Sequence, residues 1–433
     1  MEGHQQSSAN SCDEALVSYG RPPGEPALAE LVSSPHLAAV QRAGTVHIYA
    51  DTADVQELAP LITAPGGSLF REIDGNTANQ PLVQKVIARY LETGDLRPAA
   101  DRLRSLQPGL TNADLIPLLY AAICSRVGND MVRAYAAGRD WGVSLQLHMA
   151  LGGDAEASKR VGRCLRRMVP SGVVKVPFTP HQPHCFLIAR DLEREGIPVN
   201  FTSTFSARQA VAAGLLSNVA LTNIFMGRLN QGLKATLLGE HVDLEAQRIL
   251  RRLRQETGIK TLLIVASVRE WQTFVRTAGC DVFTAPCDAI RGYMEQKEVP
   301  PAEICSQLET SYEDDLGIGE DIISAVGRGR IARLYKVEPE LVQFMRELRS
   351  TREYQEMSDG DQLYKRFQQA GFEDIFYAPT EVEWQEFRKS KLPDLKAPLT
   401  HRLPLDTLYS LLADADFEKA QEDMNRRIEE TCC

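Results

Sequence analysis

The segment Gly-Val-Val-Lys-Val-Pro, residues 172–177, places one lysine, Lys175, within an otherwise apolar run. Its valines favour a β-strand, in which Lys175 and the residues two positions away point to the same face. If that face lies inside a closed barrel, the amine loses its hydration, its pKa falls, and the neutral amine can attack a carbonyl carbon. The alternative is a lysine on an edge strand that faces solvent.

Further apolar runs of similar length flank this segment, and longer amphipathic stretches separate them. Short β-branched runs that alternate with helical patterns predict βα units around a parallel sheet. We therefore predict a (β/α)8 barrel of the TIM type over residues 37–299, with additional helices in the wide gap 80–142. The predicted strands are TVHIYA (45–50), a weak one ending near Asn76, VSLQLH (143–148), GVVKVP (172–177), PVNFTS (198–203), VALTNIFM (219–226), TLLIVA (261–266) and DVFTA (281–285).

The two ends of the chain differ from this central region. Residues 1–36 are rich in Ser, Gly, Pro and Gln, which predicts a flexible N-terminal arm with one short helix. Residues 300–433 carry more charge, more aromatic side chains and helical patterns such as PELVQFMRELRS and GDQLYKRFQQAGF. We predict a mainly helical C-terminal extension, either packed on the barrel or forming a small domain.

The composition limits the partners and the location of the protein. The 433 residues are 43% hydrophobic and 24% charged, with a net charge of −10, so the basic field of a nucleic-acid-binding protein is absent. The sequence has no apolar run of 18 residues, and its first residues lack the basic and apolar regions of a targeting segment, so we expect a cytoplasmic protein without a membrane partner. The nine cysteines include no pair at zinc-ligand spacing and are interpreted as reduced thiols.

Polar side chains follow the predicted strands at or near their C-terminal ends, except for the last strand. Active sites of barrel enzymes are built at that end of the strands. Each residue type also has a structural role to set against catalysis: an aspartate can cap a helix, an asparagine can stabilise a turn, and an arginine can form a surface ion pair. The polar residues are Asp51, Asn79, Gln146, Asn200, Thr202, Arg228, Ser267 and Arg269.

The order of the motifs that contain these residues resembles the transaldolase family, whose members are Schiff-base class I aldolases on a (β/α) barrel. The resemblance extends from about Val46 to Tyr293. It rests on the segments Ala-Asp-Thr-Ala-Asp, Gly-Asn-Thr-Ala-Asn-Gln-Pro-Leu, Val-Lys-Val-Pro-Phe-Thr, Val-Asn-Phe-Thr-Ser-Thr-Phe-Ser, Phe-Met-Gly-Arg and Ala-Ser-Val-Arg, which occur in this order along the chain.

The resemblance implies a role for each of these residues. Lys175 would form the imine with a ketose, and Asp51 would act as the acid and base. Dihydroxyacetone hydroxyls would be held by asparagines, and a distal phosphate by a clamp that contains two arginines. The asparagines are Asn79 and Asn200, and the clamp consists of Arg228, Ser267 and Arg269.

Two positions depart from the transaldolase pattern. Gln146 stands where transaldolases usually have a glutamate and where the related fructose-6-phosphate aldolases have glutamine. Because glutamine does not ionise, proton handling would depend more on Asp51 and on water held by Thr202. On the sixth strand Asn223 replaces a serine, whereas Phe225 is the residue that transaldolases keep in place of the tyrosine of fructose-6-phosphate aldolases. The expected site is therefore a mixture of the two types.

The resemblance implies a transaldolase that moves a dihydroxyacetone unit from a sugar-phosphate ketose donor to an aldehyde acceptor, in the pentose phosphate pathway or in specialised sugar metabolism. One alternative is a fructose-6-phosphate-type aldolase, which cleaves without transfer. Another is a non-catalytic barrel that binds sugar phosphate, against which the retention of Asp51 with Lys175 argues. The chain is expected to act alone or as a homodimer.

Imine chemistry requires no cofactor and no metal, and we expect neither. The segment after the lysine strand contains His181, Gln182, His184 and Cys185, which are residue types found in metal sites. Histidines at the start of a helix are more often structural or polar lining residues, so we do not assign a metal site to this segment.

Overall fold

Eight parallel β-strands close into a barrel in the computed structural model, which describes residues 2–20 and 27–432. Each strand pairs with the next one along the chain, and the last closes on the first, with Val282 opposite His47. The predicted (β/α)8 barrel is confirmed, and each predicted strand is present. The strands are β1 His47–Asp51, β2 Ile73–Thr77, β3 Gly142–Gln146, β4 Gly172–Pro177, β5 Val199–Thr204, β6 Leu221–Phe225, β7 Leu262–Ala266 and β8 Val282–Ala285.

Helices connect the strands and cover the barrel from outside. The gap between β2 and β3 holds three helices, α4 to α6, as its length requires. The helices of this part of the chain are α1 Glu2–Gly20, α2 Pro35–Arg42, α3 Val55–Ile62, α4 Gln80–Leu91, α5 Leu96–Leu106, α6 Asn112–Tyr135, α7 Ala155–Met168, α8 Cys185–Arg194, α9 Ala207–Ala212, α10 Met226–Leu233, α11 Leu238–Thr257, α12 Gln272–Arg276 and α13 Cys287–Glu295, with a 3-10 turn at Met149–Gly153 and a π-helical turn at Ala213–Ser217.

The strands separate an apolar outer face from a polar interior. On β5, Phe201 stacks on Phe186 of α8 with ring centroids 5.0 Å apart, outside the barrel. The preceding residue, Asn200, points the other way and donates from Nδ2 to Oγ of Ser144 on β3, two strands away, at 3.2 Å. Because successive side chains of a strand alternate between its faces, this register directs the predicted site residues of β5 into the barrel.

The N-terminal region differs from the flexible arm predicted for residues 1–36. Residues 2–20 form α1, which contacts α5, α6 and α7, and Leu31–Val32 pairs in parallel with Leu69–Phe70. On α1, Cys12 and Leu16 are buried one helical turn apart. This short apolar stripe is enough to dock the helix, although polar residues dominate the local composition. Met1 and residues 21–26 lie outside the described residues.

The C-terminal region is helical, as expected, and it packs on the barrel: its residues Tyr409, Phe417 and Met424 belong to the same apolar core as the barrel strands. Within residues 2–20 and 27–432, no helix combines the length and the apolar character needed to cross a membrane. The helices are α14 Glu320–Val326, α15 Arg328–Ala332, α16 Pro339–Ser350, α17 Arg352–Glu356, α18 Gly360–Ala370, α19 Glu381–Phe387, α20 Pro398–Arg402 and α21 Leu405–Cys432, with a 3-10 turn at Glu373–Ile375.

The last helix, α21, crosses the C-terminal end of the barrel. At its start, Asp406 accepts two hydrogen bonds from the guanidinium of Arg208, which follows β5, at 2.7 and 2.8 Å. Further along, Asn425 is hydrogen-bonded to His148, which follows β3, at 2.8 Å. The helix also contacts α4, α5 and α6. It is therefore held at two points of this end of the barrel, where barrel enzymes have their active sites.

Candidate active site

Lys175 lies in the interior of the closed barrel on β4. The lysine is only 2% exposed, and its Nζ donates a hydrogen bond to the carbonyl oxygen of Ala78 at 3.1 Å. Because a closed barrel has no edge strand, the alternative of a solvent-facing edge lysine is excluded. Burial lowers the pKa of Lys175 to about 8, against an opposing effect of the negative charge on Asp51. The amine is therefore much closer to its neutral, nucleophilic form at physiological pH than an exposed lysine is.

Asp51, at the end of β1, is close enough to Lys175 for each charge to shift the pKa of the other group. Burial raises the pKa of Asp51, while the lysine charge and a hydrogen bond of 2.8 Å from the Thr77 hydroxyl to Oδ1 act in the opposite direction. The helix cap of α3 is Asp54, which accepts from the backbone of Gln56 at 3.0 Å. Asp51 is thus free of the capping role and positioned to exchange a proton near Lys175.

A buried hydrogen-bond network lines the barrel beside the lysine. Asn223 on β6 donates from Nδ2 to Oδ1 of Asn200 at 3.0 Å, and Thr202 donates from Oγ1 to Oδ1 of Asn223 at 3.1 Å. Asn200 stands in register with Lys175 on the neighbouring strand. The network fixes the orientation of both amides, so that polar groups of known direction face the space around the amine.

Gln146 stands in register with Lys175 on the other side, at the end of β3. The residue is 2% exposed, and neither its amide oxygen nor its amide nitrogen has a hydrogen-bond partner among the described residues. Buried amides in native proteins are normally satisfied by protein, water or ligand. This amide therefore offers a donor and an acceptor to a water or substrate group next to the lysine.

Asn79 serves the chain as a helix cap, the structural role that we set against substrate binding. Its side-chain oxygen accepts from the backbone of Leu82 at 3.1 Å at the start of α4. The carbonyl oxygen that accepts the hydrogen bond from Lys175 Nζ belongs to the preceding residue, Ala78. Asn79 therefore directly follows the residue that binds the amine, and its capping role uses only the amide oxygen, not the amide nitrogen.

The two predicted phosphate-binding arginines lie together at the rim of the barrel. Although the Arg269 residue reaches solvent, partial desolvation of its guanidinium lowers its pKa. The charge of Arg228 lowers that pKa further, and the charge of Asp51 acts in the opposite direction. Arg228, in the first turn of α10, places its guanidinium carbon 5.6 Å from the ring centroid of Phe225. Ser267, two residues before Arg269, has a left-handed backbone, with φ of 65°, and a buried hydroxyl without a partner among the described residues.

Residues 48–325, well over half of the chain, match the family described as transaldolase/fructose-6-phosphate aldolase. The chain belongs to this family.

Individual relatives agree with the family at modest identity. The chain is 31% identical over 245 residues to a probable transaldolase of Rhodospirillum centenum, which covers 56% of this chain and 81% of that protein. It is 27% identical over 246 residues to a probable transaldolase of Thermus thermophilus, covering 56% and 87%. The match to a probable transaldolase of Aquifex aeolicus is 33% identical over 135 residues and spans 31% of this chain and 57% of that protein.

In this member of the transaldolase/fructose-6-phosphate aldolase family, the site also contains residues that the sequence patterns did not indicate. We expected no polar group from the last strand, and this was wrong: Thr284 on β8 is hydrogen-bonded at 2.6 Å to Thr77, which in turn holds Asp51. Thr77 lies inside the quoted Gly-Asn-Thr-Ala-Asn segment, so the motif itself contained the signal. Ser144, two residues before Gln146, had the strand periodicity as a signal.

Two further residues come from α21. Asp416 accepts from Nη2 of Arg228 at 2.7 Å, and the ring centroid of Phe417 lies 5.6 Å from the guanidinium carbon of the same arginine. They lie far along the chain from the barrel motifs, in a stretch where the sequence analysis identified no binding motif. No periodicity in the sequence connects the C-terminal region with the barrel rim.

The segment after the lysine strand is used for packing in the described part of the chain. His181 contacts Trp384 edge to face with ring centroids 5.2 Å apart, and His184 is hydrogen-bonded to the carbonyl of Gly152. Burial lowers the pKa of His181 to about 4. Among the residues described, no group of three or more His, Cys, Asp or Glu side chains is arranged to hold a metal ion.

Proposed function

We propose that this protein is a transaldolase that transfers a dihydroxyacetone unit between sugar phosphates through an imine on Lys175. The observation that carries the proposal is the enclosed pair formed by Lys175, with a pKa of about 8, and Asp51. A neutral amine next to a proton-exchanging carboxyl is the minimum set for Schiff-base aldol chemistry. Membership of the transaldolase/fructose-6-phosphate aldolase family supports the same chemistry.

In the proposed cycle, the lone pair of Lys175 Nζ adds to the C2 carbonyl of a ketose phosphate, and uptake of one proton with loss of one water gives an iminium. Asp51 takes the proton of the C4 hydroxyl, the bond between C3 and C4 breaks, and its electron pair neutralises the iminium to give an enamine. An aldehyde leaves. A three-carbon dihydroxyacetone unit stays on the lysine, with its hydroxyls facing Asn79 and Asn200.

The enamine then attacks the carbonyl carbon of the acceptor aldehyde, and Asp51 returns its proton to the new C4 hydroxyl, as microscopic reversibility requires. One water hydrolyses the new iminium and releases the ketose and one proton, so the water lost and the proton taken up in the first half are both restored. Arg228 and Arg269 would bind the distal phosphate and so hold the carbonyl carbon near Lys175. The pathway would be the pentose phosphate pathway or a specialised sugar pathway in the cytoplasm.

A second candidate is cleavage without transfer, as in a fructose-6-phosphate-type aldolase. The observation that favours it is Gln146, whose amide is buried beside Lys175 without a partner among the described residues. A water bound to this amide would deliver a proton to the enamine and then hydrolyse the resulting iminium before an acceptor arrives. The two candidates differ in one measurable ratio, that of transferred product to free dihydroxyacetone.

Borohydride trapping tests the shared chemistry. Reduction in the presence of fructose 6-phosphate or of dihydroxyacetone should add a three-carbon or larger adduct to Lys175, mapped by mass spectrometry. Lys175→Arg keeps the positive charge but forms no imine, so it should lose both adduct and turnover. The matched control is Lys260→Arg, at an exposed lysine that pairs with Glu193 at 2.6 Å and lies outside the barrel.

Each result has a clear meaning. An adduct on Lys175 that is unaffected by Lys260→Arg supports the proposal. An adduct on Lys159 instead of Lys175 would contradict the proposal. We do not expect one, because the ammonium of Lys159 is paired with Glu156 at 2.6 Å and with Asp191 at 3.2 Å. The absence of any adduct in a folded wild-type protein would refute the Schiff-base mechanism.

A further inference from the structure

The C-terminal helix places a carboxylate in the anion subsite. Asp416 Oδ2 lies 2.7 Å from Nη2 of Arg228, and the Arg228 side chain is only 11% exposed. The guanidinium is enclosed between the rings of Phe225 and Phe417, each 5.6 Å from its central carbon. A phosphate that reaches Arg228 therefore meets an arginine that already has an anionic partner.

This carboxylate is held in place by the anchors of its helix. Upstream of Asp416, Asp406 is hydrogen-bonded to Arg208, and downstream Asn425 is hydrogen-bonded to His148. Because both contacts fix α21 to segments that follow barrel strands, the carboxylate is part of the rim and is not carried by a free loop. A bound phosphate would share the arginine with Asp416.

The subsite nevertheless keeps donors for an anion. Nη1 of Arg228 is buried and has no hydrogen-bond partner among the described residues. Arg269 is exposed and close enough to Arg228 for the two charges to interact. With Asp416 present, the formal charge of these three groups is +1, whereas the two arginines alone would give +2. Repulsion between a carboxylate and a phosphate dianion a few ångströms apart weakens binding of the dianion far more than binding of an uncharged hydroxyl.

We propose that Asp416 is a specificity-determining residue that weakens phosphate binding at Arg228 and Arg269, so that the site prefers phosphorylated over unphosphorylated sugars less strongly than two unopposed arginines would. This inference rests on the proposed function, because it concerns the distal subsite of that reaction. It adds a determinant from the C-terminal extension, outside the matched residues 48–325.

The test measures the affinity of the 433-residue chain for inorganic phosphate at pH 8 by isothermal titration calorimetry. Asp416→Asn removes the charge and keeps an oxygen that can accept from Arg228, whereas Asp416→Ala removes both. We expect phosphate to bind about tenfold more tightly to both variants. The matched control is Glu429→Gln on the same helix, thirteen residues and roughly 20 Å further along, where charge effects are screened. It should leave the affinity within about twofold.

The variants separate competition from positioning. If Asp416 only orients Arg228, Asp416→Asn will bind phosphate as the wild type does and Asp416→Ala will bind it less tightly, which overturns the inference. If neither the wild type nor Asp416→Asn binds phosphate, the inference is also overturned. In steady-state assays, Asp416→Asn should raise the ratio of kcat/KM for fructose 6-phosphate to that for free fructose by about tenfold.

The phosphate-binding test and the trapping test can fail independently of each other. Calorimetry with inorganic phosphate requires no turnover, and borohydride trapping of dihydroxyacetone on Lys175 requires no phosphate. If the wild type fails to trap dihydroxyacetone but the Asp416→Asn variant binds phosphate more tightly than the wild type does, the transaldolase proposal is refuted and the role of Asp416 is supported. If trapping is normal but Asp416→Asn leaves the phosphate affinity unchanged, the transaldolase proposal is supported and the role of Asp416 is refuted.

Discussion

Reductive trapping of dihydroxyacetone on Lys175 should increase with pH, reach half of its maximal rate near pH 8 and level off about one pH unit higher, because the pKa of the buried amine is lowered to about 8. At pH 7 an amine with that pKa is about 10% neutral, whereas a lysine with the ordinary pKa of about 10.4 is about 0.04% neutral. The neutral fraction is thus raised roughly 200-fold by the position of the side chain in the barrel.

The assay measures the rate of labelling with dihydroxyacetone and cyanoborohydride between pH 6 and pH 10. The exposed Lys85 in the same digest provides an internal standard for the reagent. The expected curve for Lys175 inflects near pH 8, while labelling of the standard continues to increase to pH 10. Parallel curves for the two lysines would refute the reasoning, since Lys175 would then titrate as an exposed amine.

The Asp51→Asn variant tests the sign of the electrostatic coupling between Asp51 and Lys175. The charge of Asp51 raises the pKa of Lys175, against the larger effect of burial. Removing that charge leaves the effect of burial less opposed, so the inflection should move to lower pH. The maximal rate should also decrease, because the proton-exchanging group is lost. An inflection that stays in place or moves to higher pH would show that the two groups are not coupled as described.

Three further perturbations test other parts of the site. Gln146→Glu introduces an ionisable group beside Lys175 and should raise transfer relative to release of free dihydroxyacetone; an unchanged product ratio would show that this position does not control the partition. Arg228→Ala and Arg269→Ala should each cost about 2 to 4 kcal/mol in kcat/KM for a phosphorylated substrate and much less for its unphosphorylated counterpart; equal losses for both substrates would contradict the phosphate clamp. Arg208→Ala leaves the buried carboxylate of Asp406 without its cation and should lower the free energy of unfolding by about 3 to 5 kcal/mol in urea titrations, whereas a loss below about 1 kcal/mol would show that this ion pair does not anchor α21.

Local pattern was sufficient to predict the strands of the barrel. Runs such as TLLIVA and GVVKVP are buried on both faces, and a parallel strand of that kind is recognisable as a short apolar, β-branched run between helical segments. The end of β2 was the weakest case, because its sequence, IDGNT, carries polar and glycine residues that bind or approach other chain segments. The order of polar strand ends then predicted which face of the barrel carries the site.

Local composition was misleading for the N-terminal region. Ser, Gln and Gly predicted a flexible arm, whereas Cys12 and Leu16 dock α1 on the barrel helices. Composition averages over a segment, but docking depends on whether a few apolar side chains find a complementary surface. That surface is formed by helices from distant parts of the chain.

The sequence by itself determined the barrel, the presence of Lys175 on an inner strand and the residues at the strand ends, because these follow from short-range periodicity and from motif order. Only the tertiary structure decided how far the pKa of Lys175 falls and which partners the site residues have. Desolvation depends on everything packed around the amine, and the ion pair of Arg228 with Asp416 joins residues 188 positions apart. A contact of that kind has no signature in any local window of sequence, since it exists only when α21 lies across the closed barrel.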